Sequence, residues 1–131
     1  MFREDLNILV VDDVNAMRVQ IRELLYTFGF KKVKVARNGA EAQVMLITET
    51  FHLVLSDWHM DPVDGISLLK FVRGNPDLKD ISFIMVTAEN TKESVIEAIK
   101  CGVDDFLMKP LTSFQIQNKV FGVLLRKKVL E

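Results

Sequence analysis

The chain has 131 residues, 49% hydrophobic and 27% charged, with 17 Lys and Arg against 18 Asp and Glu. That length fits one domain able to bury a real core, and the near-zero charge balance leaves no broad basic footprint for nucleic acid. One cysteine, Cys101, excludes an internal disulfide, and His52 and His59 lack the spacing of a zinc site.

From the N-terminus, MFREDLN is no signal peptide, and no later apolar run approaches the ~18–20 residues that cross a bilayer. The first apolar run is ILVV (8–11). Met17, Ile21, Leu24, Leu25 and Phe28 follow at helical spacing, and Gly29 stops that helix. Lys31, Lys32 and Lys34 read as a solvated cluster around the second run, VKVA (33–36). Asn38-Gly39 turns the chain into a second helix, Ala40 to about Thr48. The third run is HLVLS (52–56), and Ile66, Leu69 and Val72 predict a third helix ending near Gly74-Asn75-Pro76. FIMVT (83–87) is followed by a fourth helix through Val95 and Ile99, closed by Gly102. After FLM (106–108), Ile116, Val120, Val123 and Leu124 mark a fifth helix that reaches the solvated Arg126-Lys127-Lys128 cluster. Runs that are nearly continuously aliphatic suit strands buried on both faces. Strand–helix alternation then forces parallel pairing with right-handed helical crossovers. The expected fold is a five-stranded doubly wound α/β sheet with five helices, a single cytoplasmic domain over residues 1–131. Leu130-Glu131 has two readings, native sequence or a dipeptide left by cloning, and the sequence does not choose between them.

The chemistry-bearing residues all fall at strand ends. Asp12 and Asp13 follow the first strand and Asp57 the third, Thr87 closes the fourth, and Lys109-Pro110 follows the fifth. In an open parallel sheet these carboxyl ends share one edge, where ligands bind. Taken singly, each residue has a bland reading: a helix N-cap for Asp12 or Asp13, a cap of the following turn for Asp57, a strand residue for Thr87, a solvated lysine before a turn for Lys109. Together, three carboxylates would repel unless a hard cation such as Mg²⁺ sat among them. One divalent cation and Lys109 balance the three charges. Such a site suits phosphoryl transfer to a carboxylate, with metal and lysine taking up phosphoryl charge and Thr87 donating a hydrogen bond.

The ordered motifs LVVDD, LSDW, MVTAE and MKP resemble the receiver domain of two-component response regulators, above all its free-standing chemotaxis members. The likeness runs over roughly residues 6–128. It implies a flavodoxin-like strand order 2-1-3-4-5 and a signalling phosphoacceptor with self-phosphorylation and self-dephosphorylation chemistry, rather than an enzyme. By this resemblance Asp57 takes the phosphoryl group from a sensor histidine kinase. Asp13 binds Mg²⁺ directly, with Asp57 and the backbone carbonyl of His59, while Asp12 assists through water. Lys109 pairs with a phosphoryl oxygen, Thr87 and the Ala88 amide contact the others, and the Lys109-Pro110 bond is cis. Thr87 then draws its loop inward and Phe106 fills the vacated space, with no hydroxyl to satisfy there. The implied output face is the fourth helix, fifth strand and fifth helix, with Lys92, Lys100, Phe114, Lys119 and Phe121. Its reader is a downstream protein target or an attached effector, not nucleic acid or membrane. The implied state is a monomer that can dimerise on phosphorylation.

Two departures stand out. The family places proline directly after the methionine that follows the phosphoacceptor, whereas Met60-Asp61-Pro62 shifts it by one residue and adds a carboxylate. His59 and Glu89 occupy positions that, in the family, govern acyl-phosphate hydrolysis. Among alternatives, a haloacid-dehalogenase-type phosphatase needs DxD after its first strand, where this chain has an adjacent pair. A flavodoxin-type module needs a phosphate-cradling loop, and neither GxxxxGK[ST] nor GxGxxG occurs. The alternative within the family is a degenerate receiver that acts as a phosphorylation-independent interaction module.

Overall fold

The computed structural model describes residues 1–88 and 91–131. Five parallel strands, β1 (Asn7–Val11), β2 (Lys32–Ala36), β3 (Leu53–Asp57), β4 (Ser82–Thr87) and β5 (Asp105–Met108), form one sheet in the order β2-β1-β3-β4-β5. The helices are α1 (Asn15–Thr27), α2 (Gly39–Thr48), α3 (Gly65–Gly74), α4 (Lys92–Lys100) and α5 (Ser113–Arg126). A short 3₁₀ turn, Arg3–Asp5, precedes the sheet and was not expected from the sequence. The third strand is displaced by one residue from the expected 52–56, which makes Asp57 its last member rather than its successor.

Side chains alternate across a strand, and this separates the core into two halves. Ile8, Val10, Leu55, Ile84 and Val86 face α1 and α5, where Ile21, Leu25, Ile116, Val120 and Val123 meet them. Leu9, Val11, Val54, Phe83 and Met85 point the other way, onto Ala42, Leu46, Leu68, Leu69 and Ala98 of α2, α3 and α4. Both faces of β1, β3 and β4 therefore need apolar residues, which explains their unbroken runs. The edge strand β2 alternates exposed lysines with buried Val33 and Ala36. Each fully buried Leu, Ile or Phe contributes about 1.5–3 kcal/mol.

Four helices begin at polar caps. Asn38, Asp64, Thr91 and Thr112 accept the backbone N–H of Glu41, Ser67, Ser94 and Gln115 at 2.8–3.1 Å, each worth about 1 kcal/mol. The exception is α1, whose N-cap is Val14 with no side-chain bond. Gly29 and Gly102 close α1 and α4 with φ of +96° and +92°, where a side chain would be strained.

Candidate functional site

The carboxyl ends of β1, β3, β4 and β5 deliver Asp12, Asp13, Asp57, Thr87 and Lys109 to one edge of the sheet. One carboxylate oxygen from each of Asp12, Asp13 and Asp57 lies within 4.8 Å of the others. Asp12 is buried and does not cap α1. Its Oδ1 accepts the Val14 N–H at 2.9 Å, and its backbone carbonyl accepts a bond from Arg18 at 2.7 Å. Its Oδ2 is buried with no hydrogen-bond donor, although Lys109 Nζ stands at 3.5 Å. Asp57 Oδ1 accepts the Trp58 N–H at 2.9 Å and Lys109 Nζ at 3.2 Å. Asp13 is exposed and forms the outer wall.

The charges follow this geometry. Burial raises the Asp12 carboxyl above its ordinary value, and the nearby charges of Asp57 and Asp13 push the same way. The Val14 amide and Lys109 only partly offset them. Burial by itself would lower the Lys109 ammonium, yet the two carboxylates outweigh it and hold the group above its ordinary value. One lysine thus faces three carboxylates, and a buried oxygen is left without a donor. A hard divalent cation is the species that such an oxygen-only set fits.

The surrounding residues are placed as follows. Thr87 is fully buried at the end of β4, where its carbonyl accepts the Lys109 N–H at 2.9 Å, and Ala88 is exposed beside it. The Lys109-Pro110 peptide is cis, as is Asp61-Pro62. His59 is exposed, with its ring 6.4 Å from that of the buried Trp58. Asp61 stands outside the three converging carboxylates and, with Asp13, His59, Met60 and Asp64, lines a cleft of about 300 Å³ at the site's mouth. Glu89 lies outside the described residues. Phe106 is half-buried against the α3–α4 half of the core.

The expected output face needs correction. Lys92 and Lys100 are exposed, and Lys119 is half-buried in an ion pair with Asp105 at 3.1 Å. Phe121 is instead half-buried against Phe28 and Phe30 on the α1 side, with ring centroids at 6.4 and 5.4 Å. The exposed Phe114 shares a groove with it there. Helical periodicity says how much of α5 is apolar but not which flank its outermost aromatics cover.

Two supporting residues were missed from the sequence. Arg18 holds the Asp12 carbonyl, and nothing in an amphipathic helix pattern singles it out. Gly65 starts α3 so close to β3 that an added Cβ would fall inside the Asp57 carbonyl and 2.7 Å from Met85 Sδ. The Gly65 N–H bonds the Trp58 carbonyl at 2.8 Å, closing the loop beyond Asp57.

The chain matches the response regulator receiver domain family over residues 8–121. It belongs to that family. It is 36% identical over 120 residues to chemotaxis protein CheY-3 of Vibrio cholerae, covering 92% of each chain. A crystallised chemotaxis protein CheY4 of V. cholerae superposes with a TM-score of 0.85 at 27% identity, over 91% of this receiver and 98% of that chain. The receiver domain of a Syntrophus aciditrophicus signal transduction histidine kinase superposes equally well, at 30% identity over 95% and 94% of the two chains. The receiver thus shares its flavodoxin-like order with CheY proteins, and accepting a phosphoryl group is the function of its family. Receiver domains bind Mg²⁺ at an acidic pocket of this kind and interact with histidine kinases and downstream targets. The convergence of all five site residues counts against a degenerate member. Among the described residues, no helix is long and apolar enough to cross a membrane.

Proposed function

We propose that Asp57 is the phosphoacceptor of a single cytoplasmic receiver unit. Its carboxylate attacks the phosphorus of a kinase phosphohistidine, the P–N bond breaks, and an acyl phosphate forms. The observation that carries this reading is the Lys109–Asp57–Asp12 cluster with its orphaned, buried Asp12 oxygen. Asp12, Asp13, Asp57 and the His59 carbonyl would hold Mg²⁺. The ion would supply positive charge against the oxygens of the transferring group.

The chain's own residues do the rest. The Trp58 N–H and Lys109 both bond Asp57 Oδ1 and so fix the carboxylate in place. Lys109, the Thr87 hydroxyl and the Ala88 amide receive the phosphoryl oxygens, and water admitted past His59 hydrolyses the acyl phosphate to the Asp57 carboxylate and inorganic phosphate. Thr87 and Phe106 then switch the α4–β5–α5 face, around Lys92, Lys100 and Lys119, toward a downstream protein or an attached effector. The unit is a monomer in this reading, with a dimer available on phosphorylation.

The test follows Trp58 fluorescence during addition of Mg²⁺ and then beryllofluoride, a phosphoryl mimic. A saturable Mg²⁺ response with a beryllofluoride step, the step lost in Asp57→Asn, is expected. Silence toward both would replace this reading with a phosphorylation-independent interaction module.

A further inference from the structure

The stretch that carries Asp13 is anchored by polar bonds rather than by burial. Asp12 is buried at the carboxyl end of β1, but the next four residues, Asp13 to Ala16, are all exposed. The N-cap of α1, Val14, makes no side-chain bond of the kind that fixes the start of the other four helices. Bonds on either side of Asp12 hold this junction instead. The Asp12 N–H reaches the Ala36 carbonyl of β2 at 3.2 Å, and the Val14 N–H reaches Asp12 Oδ1 at 2.9 Å. From α1, the half-buried Arg18 closes the other side. Its Nη1 donates to the Asp12 carbonyl at 2.7 Å, and its Nη2 donates to Asn15 Oδ1 at 3.2 Å.

The Asp12 carbonyl belongs to the planar peptide unit that joins Asp12 to Asp13. Holding it fixes the direction in which the Asp13 backbone leaves the buried Asp12, and with it the place of the outer carboxylate. The bond falls on the backbone, so Arg18 claims none of the three carboxylates that a cation would use. The helix dipole disfavours an arginine here. The first turn, Asn15 to Arg18, has no acidic residue, and a cation in it faces the positive end of the dipole.

Arg18 acts on a bound cation in two ways of opposite sign. Groups that orient metal ligands commonly tighten binding by about 10–100-fold. The guanidinium charge repels the ion, but at a half-exposed position that repulsion is about two- to threefold and is screened by salt. Positioning is the larger effect.

We propose that Arg18 is a positioning residue for the cation site, one that raises Mg²⁺ affinity by fixing the Asp12–Asp13 peptide without touching the ion. The proposal rests on the metal-assisted phosphoacceptor reading and adds a residue of α1 to it.

The test titrates Mg²⁺ into the full chain, native, Arg18→Met and Arg18→Lys, at low and high salt, by calorimetry and Trp58 fluorescence. Arg18→Met should bind about tenfold more weakly. Arg18→Lys keeps the charge and one donor but cannot span Asp12 and Asn15 together, so it should lose about threefold. Neither loss should shrink in high salt. All three proteins are titrated well below their melting midpoints, so a loss of stability alone does not move the affinity. In EDTA the Val14 N–H should exchange with solvent about tenfold faster in Arg18→Met, a readout that needs no metal. With the native protein responding to Mg²⁺, an Arg18→Met affinity within about twofold of native would overturn this proposal alone. Tighter binding by Arg18→Met would overturn it in favour of charge repulsion, and unchanged Val14 exchange would overturn it as well. A native protein silent toward Mg²⁺ in both titrations would bring down the phosphoacceptor reading, and this proposal with it.

Discussion

At the end of the sheet opposite Asp57, one carboxylate oxygen organises three elements. Asp104 Oδ2 accepts the Phe83 N–H at 2.8 Å, Arg73 Nη2 at 3.0 Å and Lys127 Nζ at 3.1 Å. It thereby ties the start of β4 to the end of α3 and the chain just beyond α5. Phe83 is fully buried, so Asp104→Ala would strand its N–H without an acceptor, a loss of about 1–3 kcal/mol. The two charge-assisted bonds add less than their interior value, because the Asp104 side chain is 18% exposed and those of its partners 20–25%. Arg73 also stays anchored on the carbonyls of Gly102, Lys79 and Ile81. The expected total for Asp104→Ala is about 3 kcal/mol. Asp104→Asn keeps an oxygen for Phe83 and loses only the charge, about 1 kcal/mol. For a domain of this size the melting midpoint should fall about 10–15 °C for the alanine variant and about 3–5 °C for the asparagine variant. Calorimetry of both variants, with urea melts at fixed pH, measures this directly. Equal losses in the two variants, or an alanine loss under about 0.5 kcal/mol, would refute the assignment of the cost to the stranded Phe83 N–H.

Gly65→Ala should destabilise by about 1–3 kcal/mol, because the new methyl group overlaps the Asp57 carbonyl and Met85; a chemical melt at or above the native midpoint would contradict this. His52 Nδ1 accepts the Asn7 N–H at 3.0 Å, and burial, helped by the positive N-terminus and Lys32, lowers its pKa from the ordinary 6.5. The folded state therefore favours neutral His52. Its contribution is complete above pH 6.5 and fades as pH falls through 6.5 toward the depressed folded value. His52→Asn, which keeps an acceptor but cannot titrate, should flatten the urea midpoint between about pH 7 and 5.5 relative to native protein. Lys109→Ala should lower the melting midpoint in EDTA, since Asp12 and Asp57 lose the cation between them, and millimolar Mg²⁺ should restore more stability to this variant than to native protein. Equal Mg²⁺ gains in both proteins would argue against a cation among these carboxylates.

Much of this architecture was legible because the physics acting on it is local or period-bound. β1, β3 and β4 announce themselves as unbroken apolar runs, since both faces are covered, and Gly29 and Gly102 sit where helices must stop. The site was legible because a parallel sheet gathers its carboxyl ends, so residues far apart in sequence could be assigned to one edge. What escaped detection depends on tertiary distance. The Arg18 bond to the Asp12 carbonyl, the three donors on Asp104 and the overlap awaiting any side chain at Gly65 all join elements whose separation no sequence period encodes. Phe121 illustrates the same limit: its spacing placed it on α5, and only packing against Phe28 and Phe30 placed it on the α1 flank.

The shifted proline after Met60 raises a sharper question, namely how a loop altered beside Asp57 leaves the pocket intact. The answer lies in where the loop is pinned. At its start, the Trp58 N–H bonds the Asp57 carboxylate itself. At its end, the Gly65 N–H bonds the Trp58 carbonyl, and Asp64 caps α3 through the Ser67 N–H. Met60 is buried in the α2–α3 half of the core, which fixes the middle. The change is confined to Asp61 and Pro62, both exposed, so Asp57 keeps its bonds to Trp58 and Lys109 while Asp61 gains a place on the cleft wall. The extra charge therefore acts across the cleft rather than by displacing the acceptor. Asp61→Asn should weaken Mg²⁺ binding, read by Trp58 fluorescence, by no more than about threefold, with the loss shrinking as salt rises. A loss of tenfold or more that persists in high salt would show that Asp61 ligates the ion directly.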